Sequence, residues 1–260
     1  MRSAAILSKF LEYSEALTSS CIAHPAIIGL VLVGSAAETE RVDEWSDHDF
    51  FVITEKGEQE TLRADLSWIP NFEAIAFFFR ETEHGLKVVY KSGAVLEFAV
   101  FDCDELATCV INHQHLAYSN DEVMRALARA NSQINSPDRS DDLSDFRHFL
   151  SLLIIGVGRA RRGEVLTAGA GIRSAGAELL VKLLTRHLPK DDRLDKLAVW
   201  RRFEFVFPEI GTHFIQALAL QPEEVAIELL RIADTYLAPI WNEYPFDDVS
   251  TTKAALSWTP

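Results

Sequence analysis

The chain has 260 residues, with 25 Lys+Arg against 39 Asp+Glu and a formal net charge of −14. That length suits one large or two modest domains with a real core. The acidity argues against nucleic acid as a main partner, because phosphate backbones are repelled; it favours a cationic small molecule or serves solubility alone.

Residues 3–20 place Ile6, Phe10, Leu11 and Leu17 at helical spacing, which predicts a first helix. Lys9 and Glu12 interrupt its apolar residues, so it is not read as a secretory signal. After Pro25 the run Ile27–Val33 predicts a buried strand, and residues 35–40 a short helix capped by Ser35. His48–Thr54 predicts a second strand, and residues 58–68 a helix stopping before Pro70. Three strands follow at 72–81, 86–90 and 95–101, with turns at Glu83-His84-Gly85 and Ser92-Gly93. Phe77, Phe78 and Phe79 read as strand core. Asp102 caps a turn around Asp104-Glu105-Leu106, and residues 121–131 predict another helix.

The polar stretch 135–142 reads as a linker. Beyond it, residues 146–162, 168–188, 192–205, 209–220 and 222–242 favour helix, punctuated by Pro189, Pro208, Pro222 and Pro239, and the tail 244–260 reads as irregular. Strands first and helices later predict an α+β chain. Its two parts are an N-terminal domain over 1–136, a mixed sheet flanked by helices, and a C-terminal helical bundle over 141–260. Cys21, Cys103 and Cys109 are odd in number and form no CxxC pair, so each reads as a small buried hydrophobe in a reducing, cytoplasmic setting. No apolar run approaches the length of a membrane span.

The chemistry concentrates in Ser46-Asp47-His48-Asp49. Strand side chains alternate, so Asp47 and Asp49 share a face and His48 takes the other. Two adjacent carboxylates suit magnesium, which takes few protein oxygens and completes its shell with water and substrate phosphate. Glu97 is the candidate third ligand, an acid inside a run otherwise built for burial, where an unpaired carboxylate is costly. Its alternative is a solvent-facing place on an edge strand. Asp102 and Asp104 are second choices, better read as caps. Gly34-Ser35 ends the first strand; glycine admits close approach of a ligand, and the Ser35 hydroxyl with neighbouring N–H groups offers donors to phosphate, whereas the plain alternative is an ordinary Gly-Ser turn.

Gly34-Ser35, then Ser46-Asp47-His48-Asp49, then the distant acid Glu97 together resemble the nucleotidyltransferase superfamily of the DNA polymerase β type. The likeness is nearer to its small bacterial members that adenylylate antibiotics such as aminoglycosides and lincosamides, and its strongest part covers residues 27–54. The resemblance implies a short mixed sheet followed by a helical domain. It implies that Asp47, Asp49 and Glu97 hold magnesium against an NTP such as ATP, and that Gly34 and Ser35 bind the nucleotide. The product is then a nucleotidylated small acceptor, cationic in the aminoglycoside case, plus pyrophosphate. Two other readings stay open: transfer to a protein side chain, and an inactive fold serving as a binding or regulatory module.

The loop after Ser35 departs from the family pattern, with Glu38 and Glu40 where a glycine or a basic residue is common; Arg41 is the stand-in. Arg159, Arg161, Arg162, Arg173 and Lys182 are further candidates for the triphosphate, against helix-end and surface roles. Arg201 and Arg202 read as partners of Glu204. His113 and His115 alternate as on a strand but lack the further ligands of a zinc site. Trp45 either packs or stacks on a base or sugar, packing being the commoner use.

Overall fold

The structure is a computed structural model that describes residues 4–133, 141–191, 193–195 and 198–257. The chain is α+β and divides into two units, Met1–Pro137 and Asp138–Pro260. In the first unit the order is α1 (Ala4–Ala23), β1 (Ile27–Val33), α2 (Gly34–Ala37), β2 (His48–Thr54), α3 (Gln59–Ala64), β3 (Ile75–Arg80), β4 (Gly85–Tyr90), β5 (Val95–Phe101), α4 (Cys103–Leu106), β6 (Gln114–Tyr118) and α5 (Asp121–Gln133).

The strands form one mixed sheet in the order β3-β4-β5-β2-β1-β6. β2 and β5 run parallel, and every other neighbouring pair is antiparallel. β1 is apolar almost throughout because both of its faces are covered. Leu30 and Leu32 pack with Phe10, Leu17 and Cys21 of α1 on one face. Ile28 and Val31 pack with Val123, Ala126 and Leu127 of α5 on the other. α1 buries Phe10, Ser14, Leu17 and Cys21, a spacing of four, three and four that keeps one helical stripe on the sheet. Burial pushes the Cys21 thiol up to about 12 and those of Cys103 and Cys109 to about 11, so all three behave as inert apolar groups.

Several predicted elements come out differently. The helix expected over 58–68 ends at Ala64, where Asp65 turns extended. The strand expected from residue 72 starts at Ile75, after a 3₁₀ turn over Phe72–Ala74. Phe77, Phe78 and Phe79 are not core: β3 lies at the sheet edge, and each ring is about half exposed. Ser35 is no cap, since α2 starts at Gly34 and its preceding residue, Val33, supplies no side-chain acceptor. Residues 114–118, which the sequence marks only by the alternation of His113 and His115, form edge strand β6 beside β1.

The second unit is helical among its described residues: α6 (Asp142–Arg161), α7 (Val165–Ala170), α8 (Ala177–His187), α9 (Phe203–Val206), α10 (Pro208–Leu218), α11 (Pro222–Ile232) and α12 (Phe246–Ser257). Phe146, Phe149 and Leu153 of α6 share a core with Leu180 and Leu184 of α8, Leu229 of α11 and Leu256 of α12. The helix expected over 168–188 contains a π segment, Gly171–Gly176, between α7 and α8, and α11 continues into another, Ala233–Leu237. Within the expected helix 192–205, only Phe203–Val206 is helical among the described residues, and Arg202 before it adopts a positive φ of 68°; Asp192, Lys196 and Leu197 lie outside the described residues. The tail read as irregular holds α12, which buries Val249, Thr252 and Leu256 at helical spacing. The Thr251 and Thr252 hydroxyls donate back to the carbonyls of Asp247 and Asp248, which satisfies the hydroxyl that Thr252 buries. Of the expected linker, residues 135–140 lie outside the described residues; Asp141 caps α6 through the N–H groups of Leu143 and Ser144.

Asp102 sits at the N-terminus of α4 in a complete capping box. Its Oδ1 accepts from Glu105 N at 2.8 Å, and Glu105 Oε2 accepts from Asp102 N at 2.9 Å. Gln59 Nε2 donates to the second Asp102 oxygen at 2.8 Å. Asp102→Ala is expected to cost about 1–2 kcal/mol in urea unfolding of the full chain; a loss too small to resolve would contradict the structural role.

Candidate active site

β2 and β5 place the acids. In their parallel register Asp49 lies opposite Glu97, and across the antiparallel pair Asp49 lies opposite Val33, the last residue of β1. Residues paired across strands share a face, and Asp47, two residues before Asp49, shares it too. Asp47, Asp49 and Glu97 each bring one carboxylate oxygen within 4.8 Å of the others. Among the described residues no other trio of His, Cys, Asp or Glu converges in this way. Asp47 and Asp49 are half-buried, and Glu97 is exposed.

His48 points to the opposite face and anchors the strand there. Its ring stacks on Phe10 of α1, with centroids 3.7 Å apart and planes 13° from parallel. Nε2 lies 3.1 Å from the Phe10 carbonyl, which can only accept, so the neutral ring carries its proton on that nitrogen. Burial holds the imidazole down at about 4, against the weaker opposing pull of the Phe10 carbonyl and Asp47. An uncharged anchor thus separates the two aspartates.

Gly34 and Ser35 close the site from the β1 side. Gly34 has φ +55°, and a Cβ built on it would lie 2.3 Å from Asp49 Oδ2. Only a residue without a side chain allows both that backbone conformation and that approach. Ser35 is buried, and its Oγ donates to the Asp47 carbonyl at 3.1 Å. The Ser35 hydroxyl thus ties the end of β1 to the Asp47 backbone.

From sequence Glu97 is either an acid buried with a partner or a solvent-facing acid on an edge strand. It is instead 47% exposed by side chain, on an interior strand, and Lys87 faces it from β4. Lys87 Nζ lies 3.5 Å from Glu97 and 2.8 Å from Glu81. Lys87 went unnoticed in the sequence. The signal was present as a lone charge in each of two neighbouring strands, GLKVVY and VLEFAVF. Asp102 is committed to its capping box and Asp104 to Lys56 at 2.8 Å.

Arg41 pairs with Glu38, whose carboxylate also lies 3.5 Å from His113. One of the glutamates that departs from the family pattern thus engages the stand-in cation. Trp45 does not pack: it is 87% exposed. Its backbone is held by Asp43, whose Oδ1 accepts from Trp45 N at 2.9 Å and from Ser46 Oγ at 3.2 Å. Four of the second unit's basic candidates, Arg159 not among them, have partners inside that unit. Arg161 pairs with Glu223, Arg162 with Glu164 and Lys182 with Glu178. Arg173 donates to the Leu218 and Leu220 carbonyls, and Arg201 lies 3.9 Å from Asp195 rather than pairing with Glu204.

No protein-family model and no curated protein matches the chain. Among solved structures it is similar to an aminoglycoside 6-adenyltransferase from Bacillus subtilis, at 12% identity over 98% of each chain with a TM-score of 0.38. It is also similar to a nucleotidyltransferase-like protein from Exiguobacterium sibiricum, at 12% identity over 89% of this chain and 79% of that one, TM-score 0.34. A c-di-GMP synthase from Capnocytophaga granulosa is 10% identical over 98% of this chain and 79% of that one, TM-score 0.31. At such identities and TM-scores these likenesses assign nothing to this chain, whose reading rests on its own side chains.

Gly34→Ala tests the close approach directly. The added methyl must displace the Asp49 carboxylate, and the backbone conformation costs a further 1–2 kcal/mol or so. The variant is expected to lose stability by about that amount in urea unfolding; unchanged stability would contradict the geometry.

Proposed function

We propose that this protein is a magnesium-dependent nucleotidyltransferase. It moves a nucleoside monophosphate from an NTP, with ATP the first to test, onto a hydroxyl of a small acceptor and releases pyrophosphate. The observation that carries this reading is the convergence of Asp47, Asp49 and Glu97 beside the Gly34 backbone. Three hard oxygens and no sulfur or imidazole form a donor set that fits magnesium. When bound, such an ion neutralises phosphate charge and stabilises the entering and leaving oxygens of an in-line displacement.

The chain's own residues then have distinct tasks. Asp47 and Asp49 hold the ion, the first fixed through its carbonyl by Ser35 and the second tucked against Gly34. Gly34 leaves room for the triphosphate at the strand end. Glu97, the most exposed of the three, completes the ligand set or takes the proton of the acceptor hydroxyl as that oxygen bonds to the α-phosphorus. The bond from that phosphorus to the bridging oxygen breaks, and pyrophosphate leaves. Positioning and charge neutralisation carry the rate, as is general for phosphoryl chemistry. Trp45, exposed and two residues from Asp47, offers a flat face to a base or to an acceptor ring. The net charge of −14 favours a cationic acceptor of aminoglycoside type.

Calorimetry with ATP and magnesium, followed by a pyrophosphate-release screen of NTPs against an acceptor panel, tests the proposal. Metal-dependent ATP binding, quenching of Trp45 emission and turnover are expected, with Asp47→Asn and Asp49→Asn each lowering turnover by about 100-fold or more. Absence of ATP binding at millimolar nucleotide and magnesium would overturn it.

A further inference from the structure

We propose that Lys87 is an exchangeable counter-ion of the acid cluster, holding Glu97 in the metal-free protein and giving up that carboxylate when a divalent cation enters. The inference rests on reading the cluster as a metal site and assigns a role to a residue outside it.

The sheet register sets up the exchange. Lys87, Glu97 and Asp49 lie side by side on β4, β5 and β2, each the cross-strand partner of the next, so their side chains share a face. The ammonium therefore stands beside the outermost of three acids that converge within 4.8 Å. Its 3.5 Å contact with Glu97 is long and weak, whereas its 2.8 Å contact with Glu81 is an ordinary hydrogen bond. Lys87 thus has a second, tighter partner to which it can withdraw.

Once Glu97 ligates a divalent ion, an ammonium still beside that carboxylate is a like charge a few ångströms from the metal, and the two repel. Metal entry therefore works against Lys87. A free ion must overcome that repulsion, whereas an ion arriving on a triphosphate brings negative charge that offsets it. The lysine thus biases the site toward the metal–nucleotide complex over the bare metal. Lys87 is 28% exposed by side chain and Glu97 47%, so solvent screens the effect and its size is a few-fold rather than orders of magnitude.

Manganese titrations of the full chain without nucleotide, read by the electron paramagnetic resonance of the free ion, test the exchange. Lys87→Met is expected to tighten manganese binding by about threefold, and Lys87→Arg to leave it within about twofold of the unsubstituted protein. In a Glu97→Gln background Lys87→Met is expected to change nothing, because the shared carboxylate is gone. Equal or weaker binding by Lys87→Met overturns the proposal, as does the same tightening in the Glu97→Gln background, which would mark a general surface-charge effect. If Asp47→Asn/Asp49→Asn leaves manganese binding intact, the metal reading of the cluster fails, and the role of Lys87 with it. If that pair abolishes binding while Lys87→Met has no effect, only the exchange fails.

Discussion

Carboxylates placed with an oxygen each inside 4.8 Å of the others repel. The repulsion amounts to about 1 kcal/mol per pair in a water-like medium and about 3.5 kcal/mol near a protein surface. Backbone register holds these three together against it. Asp49 and Glu97 are locked opposite each other by the parallel β2–β5 pairing, and one residue of slip would send one of them to the other face. Parallel pairing at that point requires a long crossover, which this chain builds from α3 and the β3–β4 hairpin. The hairpin in turn sets Lys87 beside Glu97, so the segment that makes the register possible also delivers the one cation in ion-pair range of that acid among the described contacts.

The two faces of the sheet divide the work. On one face α1 supplies Phe10, Leu17 and Cys21, and His48 is clamped neutral on Phe10. On the other, the apolar residues of β1 and β2 pack on α5, and at the strand ends polar groups take over at Asp47, Asp49 and Glu97. The abrupt change from buried strand to acids is made at Gly34, where a left-handed backbone turns the chain tightly enough to touch Asp49. Residues 27–54 therefore act as a unit: buried strand, positive-φ glycine, surface connection and acid-bearing strand.

What was legible in the sequence follows from how local each cause is. β1 and β2 were read at their observed bounds because a run of β-branched and aromatic residues bounded by Gly34 and by polar groups specifies them without tertiary help. The shared face of Asp47 and Asp49 follows from strand periodicity alone. Glu97 is named from sequence as the acid beside Asp47 and Asp49, but other partners across strands are not legible there. Lys87 faces Glu97 only through the β4–β5 register, and Phe77–Phe79 are exposed only because β3 lies at an edge. The same gap explains Trp45, whose usual fate is packing, and Ser35, whose hydroxyl meets the Asp47 carbonyl 12 residues away. α12 is hidden because it buries only Val249, Thr252 and Leu256, one of them polar, so no strong apolar stripe marks it.

The central claim is geometric: the three acids gather around one divalent cation. The most direct measurement is anomalous scattering from crystals grown with manganese and a non-hydrolysable ATP analogue. The account predicts a manganese peak about 2.2 Å from oxygens of Asp47 and Asp49 and bridged to the analogue's phosphates. Glu97 would then lie in the same shell, with Lys87 turned to Glu81. A peak bound elsewhere, or a nucleotide seated away from these acids with no metal between, would contradict it.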